Sequence, residues 1–190
     1  METKSIMLVG VGGQGTLLAS RILGNVLLSQ GYDVKVSEVH GMSQRGGSVV
    51  TYIKFGEKVY SPVIEKGQAD IIVSFEALEA ARWVSFLKKG GKLVMNTQEI
   101  EPMPVITGAA QYPANIVDTL KSLGEGGIAV DALSLAEQAG TSRAVNVVLM
   151  GVISHILDFG DKVWNDALEQ CVPAKVLEVN KKAFGLGRNA

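Results

Sequence analysis

The stretch Ile6-Met7-Leu8-Val9-Gly10-Val11-Gly12-Gly13-Gln14-Gly15-Thr16-Leu17-Leu18 decides the fold. Ile6 to Val9 is a run of consecutive apolar residues, the pattern of a strand covered on both faces. It ends at Gly10, and Leu17, Leu18, Ile22, Val26 and Leu27 follow at helical spacing. Strand, glycine turn and helix succeed one another, which is the context that a GxGxxG segment, here Gly10 to Gly15, requires. Without Cβ atoms such glycines permit a sharp turn and close approach of a phosphate, and free N–H groups at the helix start favour an anion. The plainer alternative is that the glycines only pack helix against strand.

Gly31 closes this helix, and Val34 and Val36 alternate with polar neighbours up to Val39. The crossover has a suitable length for a parallel pair, so the chain is expected to open with a βαβ unit. Val49 to Phe55 alternates as a strand, Gly56-Glu57 makes a turn, and Lys58 to Ser61 returns, which predicts a hairpin. Asp70 to Phe75 reads as a buried strand, Glu76 to Lys88 as a helix closed by Gly90-Gly91, and Lys92 to Asn96 as another strand. Pro102, Pro104 and Pro113 mark irregular connections, with Val105-Ile106 as a short strand and a helix from Ile116 to Leu123. Ile128 to Asp131 is the last strand; Ser134 to Gln138, a break at Gly140 and a long helix capped near Thr141 or Ser142 follow. Two further helices start at about Asp161 and Ala174. The expected fold is α/β: a three-layer α/β/α domain over residues 1–190, with a mostly parallel sheet, a β-hairpin and a helical C-terminal third.

Composition narrows the function. Of 190 residues 47% are apolar and 19% charged, the balance of a packed globular chain. A net charge of −1 provides no field for a polyanion, so neither nucleic acid nor a membrane surface is an expected partner. The most apolar window, Ala144 to Leu157, is too short for a bilayer and carries Asn146, Ser154 and His155; it reads as a buried helix or one that docks a partner. The N-terminal apolar run breaks at glycines, unlike a signal peptide, and a cytoplasmic location is expected. Cys171 is the one cysteine, and with His40 and His155 it falls short of the four ligands that an iron–sulfur cluster or structural zinc needs, so no metal site is expected.

A second loop adds chemistry. Glu38-Val39-His40-Gly41-Met42-Ser43-Gln44-Arg45-Gly46-Gly47-Ser48 combines hydrogen-bond donors, a permanent cation and three glycines at a strand end. Parallel strands send their following loops to one edge of a sheet, so this loop should converge on the first. An anion between them would meet Arg45, with Ser43, Gln44 and Ser48 as directed donors. Alternatively, Arg45 ties a loop or meets an acidic partner chain. Glu38 follows Gly15 by 23 residues, where a dinucleotide fold places the acid that holds a ribose hydroxyl. His40 is either an acid or base or a surface donor. No nucleophile elbow or GxxxxGK[ST] segment is present, and Glu65, Glu76 and Glu79 read as exposed positions.

Taken together, Gly10 to Gly15, Glu38 to Ser48, the continuation through Ser61-Pro62, Ala69-Asp70 with Glu76-Ala77, Ile128 to Asp131, and Arg143 to Asn146 with Gly151 resemble the gamma-type subunit of 2-oxoacid:ferredoxin oxidoreductases. Within that family the chain is most similar to the short (beta) subunit of the indolepyruvate enzymes, over nearly its full length. The resemblance implies a hetero-oligomer that oxidatively decarboxylates a 2-oxoacid, passes the acyl group to coenzyme A, and sends two electrons singly through iron–sulfur clusters to ferredoxin. Thiamine diphosphate, Mg2+ and the clusters would reside on partner chains; this sequence has no Gly-Asp-Gly segment followed by paired asparagines to hold the diphosphate. No residue here is assigned as a catalytic acid or nucleophile. Gly10, Gly12, Gly13, Gln14, Gly15, Glu38, His40, Gly41, Met42, Ser43, Gln44, Arg45, Gly46, Gly47 and Ser48 would face the catalytic subunit near coenzyme A or thiamine diphosphate. Aryl pyruvate leads as substrate, ahead of pyruvate, branched-chain oxoacids and 2-oxoglutarate. Two other functions compete: an autonomous NAD-dependent oxidoreductase and a noncatalytic nucleotide-binding regulator.

Overall fold

A computed structural model describes residues 2–40, 46–122 and 127–190; the side chain of His40 lies outside that description. The chain runs β1 (Lys4–Val11), α1 (Thr16–Ser29), β2 (Asp33–His40), β3 (Ser48–Gly56), β4 (Ala69–Ser74), α2 (Ala77–Trp83), β5 (Leu87–Asn96), α3 (Met103–Ile106), α4 (Ile116–Lys121), β6 (Ile128–Val130), α5 (Ala132–Ala139), α6 (Val145–Leu157), α7 (Asp161–Cys171) and α8 (Leu177–Arg188). The strands form one sheet in the order β2-β3-β1-β4-β5-β6. β1, β4, β5 and β6 pair in parallel, whereas β3 is antiparallel to both of its neighbours. The α/β class, the mostly parallel sheet and the helical C-terminal third are as the sequence predicts.

Four local expectations change. β2 does not pair with β1, because β3 inserts between them. The connection from His40 to Ser48 is too short for a parallel crossover, so β3 must return antiparallel to β2. The hairpin is therefore β2–β3; residues 58–61 form no strand. The second helix is shorter than Glu76 to Lys88, because β5 already starts at Leu87. Gly90-Gly91 lies at an irregularity of β5, where the pairing jumps from Ala69↔Leu87 to Ile71↔Lys92. Those glycines mark a bulge and not a helix stop. Val105-Ile106 belongs to the helical turn α3 instead of a strand.

Two apolar layers cover the sheet. Ile6, Leu8, Ile53, Phe55, Ile71 and Val73 face α1 and α5 to α8, while Met7, Val9, Val50, Ile72 and Leu93 face α2 and α4. Ile6, Met7, Leu8 and Val9 are all fully buried, which explains the uninterrupted apolar run of β1. Residues 145–154 of α6 are buried within their own chain, so this helix is core and not a docking surface. It lies so close to α8 that a Cβ added at Gly187 would sit 2.0 Å from the Val148 carbonyl oxygen. Replacing Gly187 with alanine must force two backbones apart. We expect G187A to lower unfolding free energy by about 1–3 kcal/mol, read as a lower denaturant midpoint at unchanged m-value.

Candidate functional site

The loops after β1, β4, β5 and β6 and the stem of the β2–β3 loop meet at one edge of the sheet. Val11 is the last residue of β1 and pairs with Ser48; one step beyond, the Gly12 N–H donates to the Gly47 carbonyl at 2.8 Å. The two glycine-containing segments thus converge as expected. Gln14 folds back: its Oε1 accepts the Val11 N–H and its Nε2 donates to the Phe75 carbonyl, each at 2.8 Å. Both ends of this amide are therefore engaged by backbone, and Gln14 clamps β1 to the end of β4. Gly10 lies within β1 opposite Val49.

Gly15 takes φ of 82°, in the left-handed region, and a Cβ there would meet the Asn146 Nδ2 at 2.6 Å. That Nδ2 donates to the Gly15 carbonyl at 3.1 Å, so α6 holds the loop from behind. Gly15 caps α1 with no side-chain acceptor for the first-turn N–H groups. A helix leaves those donors without intrahelical partners and concentrates positive potential there.

Two cavities flank the loop and share Gly13 and Gly15 in their walls. The larger, about 520 Å³, is also lined by Gln98, Leu133, Ser142 and Arg143. The smaller, about 360 Å³, is lined by Gly12, Thr16, Leu17, Glu38 and Val49. Arg143, a permanent cation, therefore shares a cavity with Gly13 and Gly15 at the uncapped start of α1, a combination suited to an anion. The sequence shows Arg143 only within a segment of family resemblance, because nothing in its local spacing announces a cavity formed where the start of α6 meets the loop after β1.

Glu38 reaches the smaller cavity, but the dinucleotide reading loses its geometry. With β3 between them, β2 lies two strand spacings from β1, roughly 10 Å, instead of one. Gly46, Gly47 and Ser48 sit at the stem of the second loop; Gly41, Met42, Ser43, Gln44 and Arg45 lie outside the described residues, as does the His40 side chain.

Two carboxyl groups read as exposed are in fact buried. Glu76 is 1% and Glu79 5% accessible, whereas Glu65 is exposed. Glu76 caps α2: its Oε2 accepts the Glu79 N–H at 2.8 Å, and its Oε1 accepts the Ile100 N–H at 3.0 Å and the Tyr112 hydroxyl. The Tyr112 oxygen accepts the Leu78 N–H at 3.1 Å. Burial, followed by the bond to Glu76, pushes the Tyr112 hydroxyl well above its ordinary pKa, so it stays a donor. Glu79 accepts the Ser48 hydroxyl and pairs with Arg82 at 3.1 Å. Trp83 Nε1 donates to the same Ser48 oxygen at 3.4 Å. Asn96, also fully buried, donates to the Phe75 carbonyl and accepts the Ala132 N–H, tying the ends of β4 and β5 to α5. Among the described residues no group of three or more His, Cys, Asp or Glu could hold a metal ion, and no helix is long and apolar enough to cross a membrane.

Burial raises the Glu79 carboxyl above the usual glutamate range, outweighing Ser48, Arg82 and Trp83, which favour the charged form; Glu76 adds to the rise. A raised folded-state pKa means that the folded chain holds a proton which the unfolded chain has released. Stability from this group is therefore complete below the ordinary glutamate pKa and declines as pH climbs through the raised value. E79Q should flatten that decline; unfolding midpoints measured from pH 4 to 8 that fall equally in both proteins would refute the assignment.

Comparison with known proteins gives a consistent picture. The family model described as pyruvate ferredoxin/flavodoxin oxidoreductase matches residues 5–190. The chain is 44% identical to an indolepyruvate oxidoreductase subunit, IorB, of Thermococcus kodakarensis, covering 100% of this chain and 96% of the relative. The keto/oxoacid ferredoxin oxidoreductase gamma subunit of Geobacter sulfurreducens shares the fold at TM-score 0.72 and 21% identity, over 98% of this chain and 96% of that one. A 2-oxoglutarate:ferredoxin oxidoreductase of Magnetococcus marinus, solved with 2-oxoglutarate, coenzyme A and succinyl-CoA, superposes at TM-score 0.74 and 17% identity, over 100% of this chain and 31% of its own.

Proposed function

The chain belongs to the pyruvate ferredoxin/flavodoxin oxidoreductase family, and from that premise we propose that it positions an anionic co-substrate inside a 2-oxoacid:ferredoxin oxidoreductase complex. It is a subunit of such a complex, and residues 1–190 act as its single gamma-type domain. The proposed substrate is indolepyruvate or a related aryl 2-oxoacid, in keeping with the relative at 44% identity. Thiamine diphosphate, Mg2+ and iron–sulfur clusters are assigned to partner subunits in the cytoplasm, and ferredoxin takes the electrons from those subunits. This chain's donor set does not fit a cluster: it holds one cysteine, Cys171, on the far side of α1.

The observation that carries the reading is that Arg143 lines the same cavity of about 520 Å³ as Gly13 and Gly15, at the start of α1 that has no side-chain cap. Coenzyme A presents phosphates, and a guanidinium sharing a cavity with a helix start is a matched receptor for them. Gln98 and Ser142 supply neutral hydrogen bonds, while Leu133 and Val145 give the cavity an apolar wall. The chain's contribution is orientation: it fixes one end of the co-substrate so that the thiol end meets the acyl group on the partner. Arg45, in the neighbouring loop, is proposed as a second contact to a phosphate or carboxylate.

Removing one charge-assisted contact of this kind costs about 1.5–3 kcal/mol, or roughly tenfold to hundredfold in binding. In a complex rebuilt with the thiamine- and cluster-bearing subunit, R143A should raise the KM for coenzyme A by that factor and leave kcat nearly unchanged. An unaltered KM in a fully assembled complex removes Arg143 from this role. Viologen reduction should need the partner subunit; turnover by the chain alone would overturn the reading.

A further inference from the structure

Ser48 is the hinge between two parts of the molecule that the activity does not otherwise connect. It opens β3, pairs with Val11 at the end of β1, and follows Gly47, whose carbonyl takes the Gly12 N–H. Its hydroxyl donates to Glu79 at 2.5 Å and receives Trp83 Nε1, so both of its hydrogen-bonding roles are filled from α2. Glu79 is itself rigidly seated. Its own N–H is held by Glu76, which is fixed in turn by Tyr112 and the Ile100 N–H.

We propose that Glu79 is a positioning residue for the glycine loop, acting through Ser48 and the Gly47–Gly12 hydrogen bond to set how firmly residues 12–15 are presented to their ligand. The placement is unfavourable for stability alone. A carboxyl group buried among α2, β3 and the 97–102 connection would pack as well or better as an uncharged residue. Arg82 on α2 pairs with it, and Glu76, the cap of α2, and Glu101 on the connection share its small cavity of about 150 Å³. Groups that bear such a cost at the rim of a cleft are candidates for function. Here the geometry supplies the route, because Gly12 N–H continues the β1–β3 ladder one rung past Val11↔Ser48.

The effect on coenzyme A rests on the reading above, so the test uses two separable measurements. In the full chain, NMR-detected hydrogen exchange at the Gly12 amide should quicken at least tenfold in S48A and E79A, while the Ala19 amide on α1 keeps its rate. E79Q retains an acceptor for the Ser48 hydroxyl and should restore most of the protection. In the rebuilt complex, S48A should raise the coenzyme A KM about threefold to tenfold with kcat little changed. E79Q should stay near the parent value at neutral pH but lose any change of KM across the titration of Glu79. Unchanged Gly12 exchange in S48A overturns the proposal, whether or not E79A folds. Quickened exchange with unchanged KM in both S48A and R143A upholds the positioning role and overturns the coenzyme A reading instead.

Discussion

β1 is held on four sides: β3 and β4 bond its edges, and two apolar layers press on its faces. Its C-terminal end is therefore a firmly held point at this edge of the sheet. The glycine loop begins there as an extension of the sheet, since the Gly12–Gly47 bond follows directly on the Val11↔Ser48 pair. That extension exists only because β3 runs antiparallel beside β1. A neighbouring parallel strand would send its own following loop onward from the edge, whereas β3 enters the sheet there and brings the stem of the second loop against the first.

Insertion of β3 also separates what was legible in the sequence from what was not. The apolar run of β1, the glycine turn and the helical spacing of α1 are local signals, and each holds. Strand order is not local. The β1–α1–β2 crossover satisfies the same handedness and length rules whether β2 lands beside β1 or one place further out, and the returning stretch at 58–61 imitates a hairpin because Gly56-Glu57 resembles a turn. Glu76 and Glu79 were missed for a related reason. At the start of a short helix, carboxyl groups normally face water and complement the helix dipole. Nothing in residues 76–79 foretells that Tyr112 and Ile100, from a proline-bearing connection, will fold over them. The convergence of the two loops was readable; the identity of the cation that lines the cavity, Arg143, required knowing how the start of α6 lies against the loop after β1.

The site is built from two kinds of support. On the side of the larger cavity, carboxamides do the holding: Gln14 and Asn146 grip the loop, and Asn96 ties neighbouring strand ends together. Each can donate and accept without changing charge, so this part of the frame is indifferent to pH. On the side of α2 the holding groups are carboxyls, Glu76 and Glu79, and burial raises the Glu79 carboxyl above the usual glutamate range. A fold that needed only rigidity could have used amides throughout.

On the proposed reading, in which the chemistry occurs on a partner chain, that asymmetry matters. The subunit's influence on rate must pass through the position and freedom of the donors that it presents, and a misplacement of about 1 Å at a reacting group can cost on the order of a hundredfold. The carboxamides bond the Val11 N–H, the Phe75 carbonyl and the Gly15 carbonyl, and the first turn of α1 has no side-chain cap. The loop is thereby fixed by the Gln14 side chain, which donates to Phe75, and by its own backbone at Gly15 and Gly12, which meets Asn146 and Gly47. An anion arriving between the loop and Arg143 would find donors already oriented, and would lose little binding energy to ordering them.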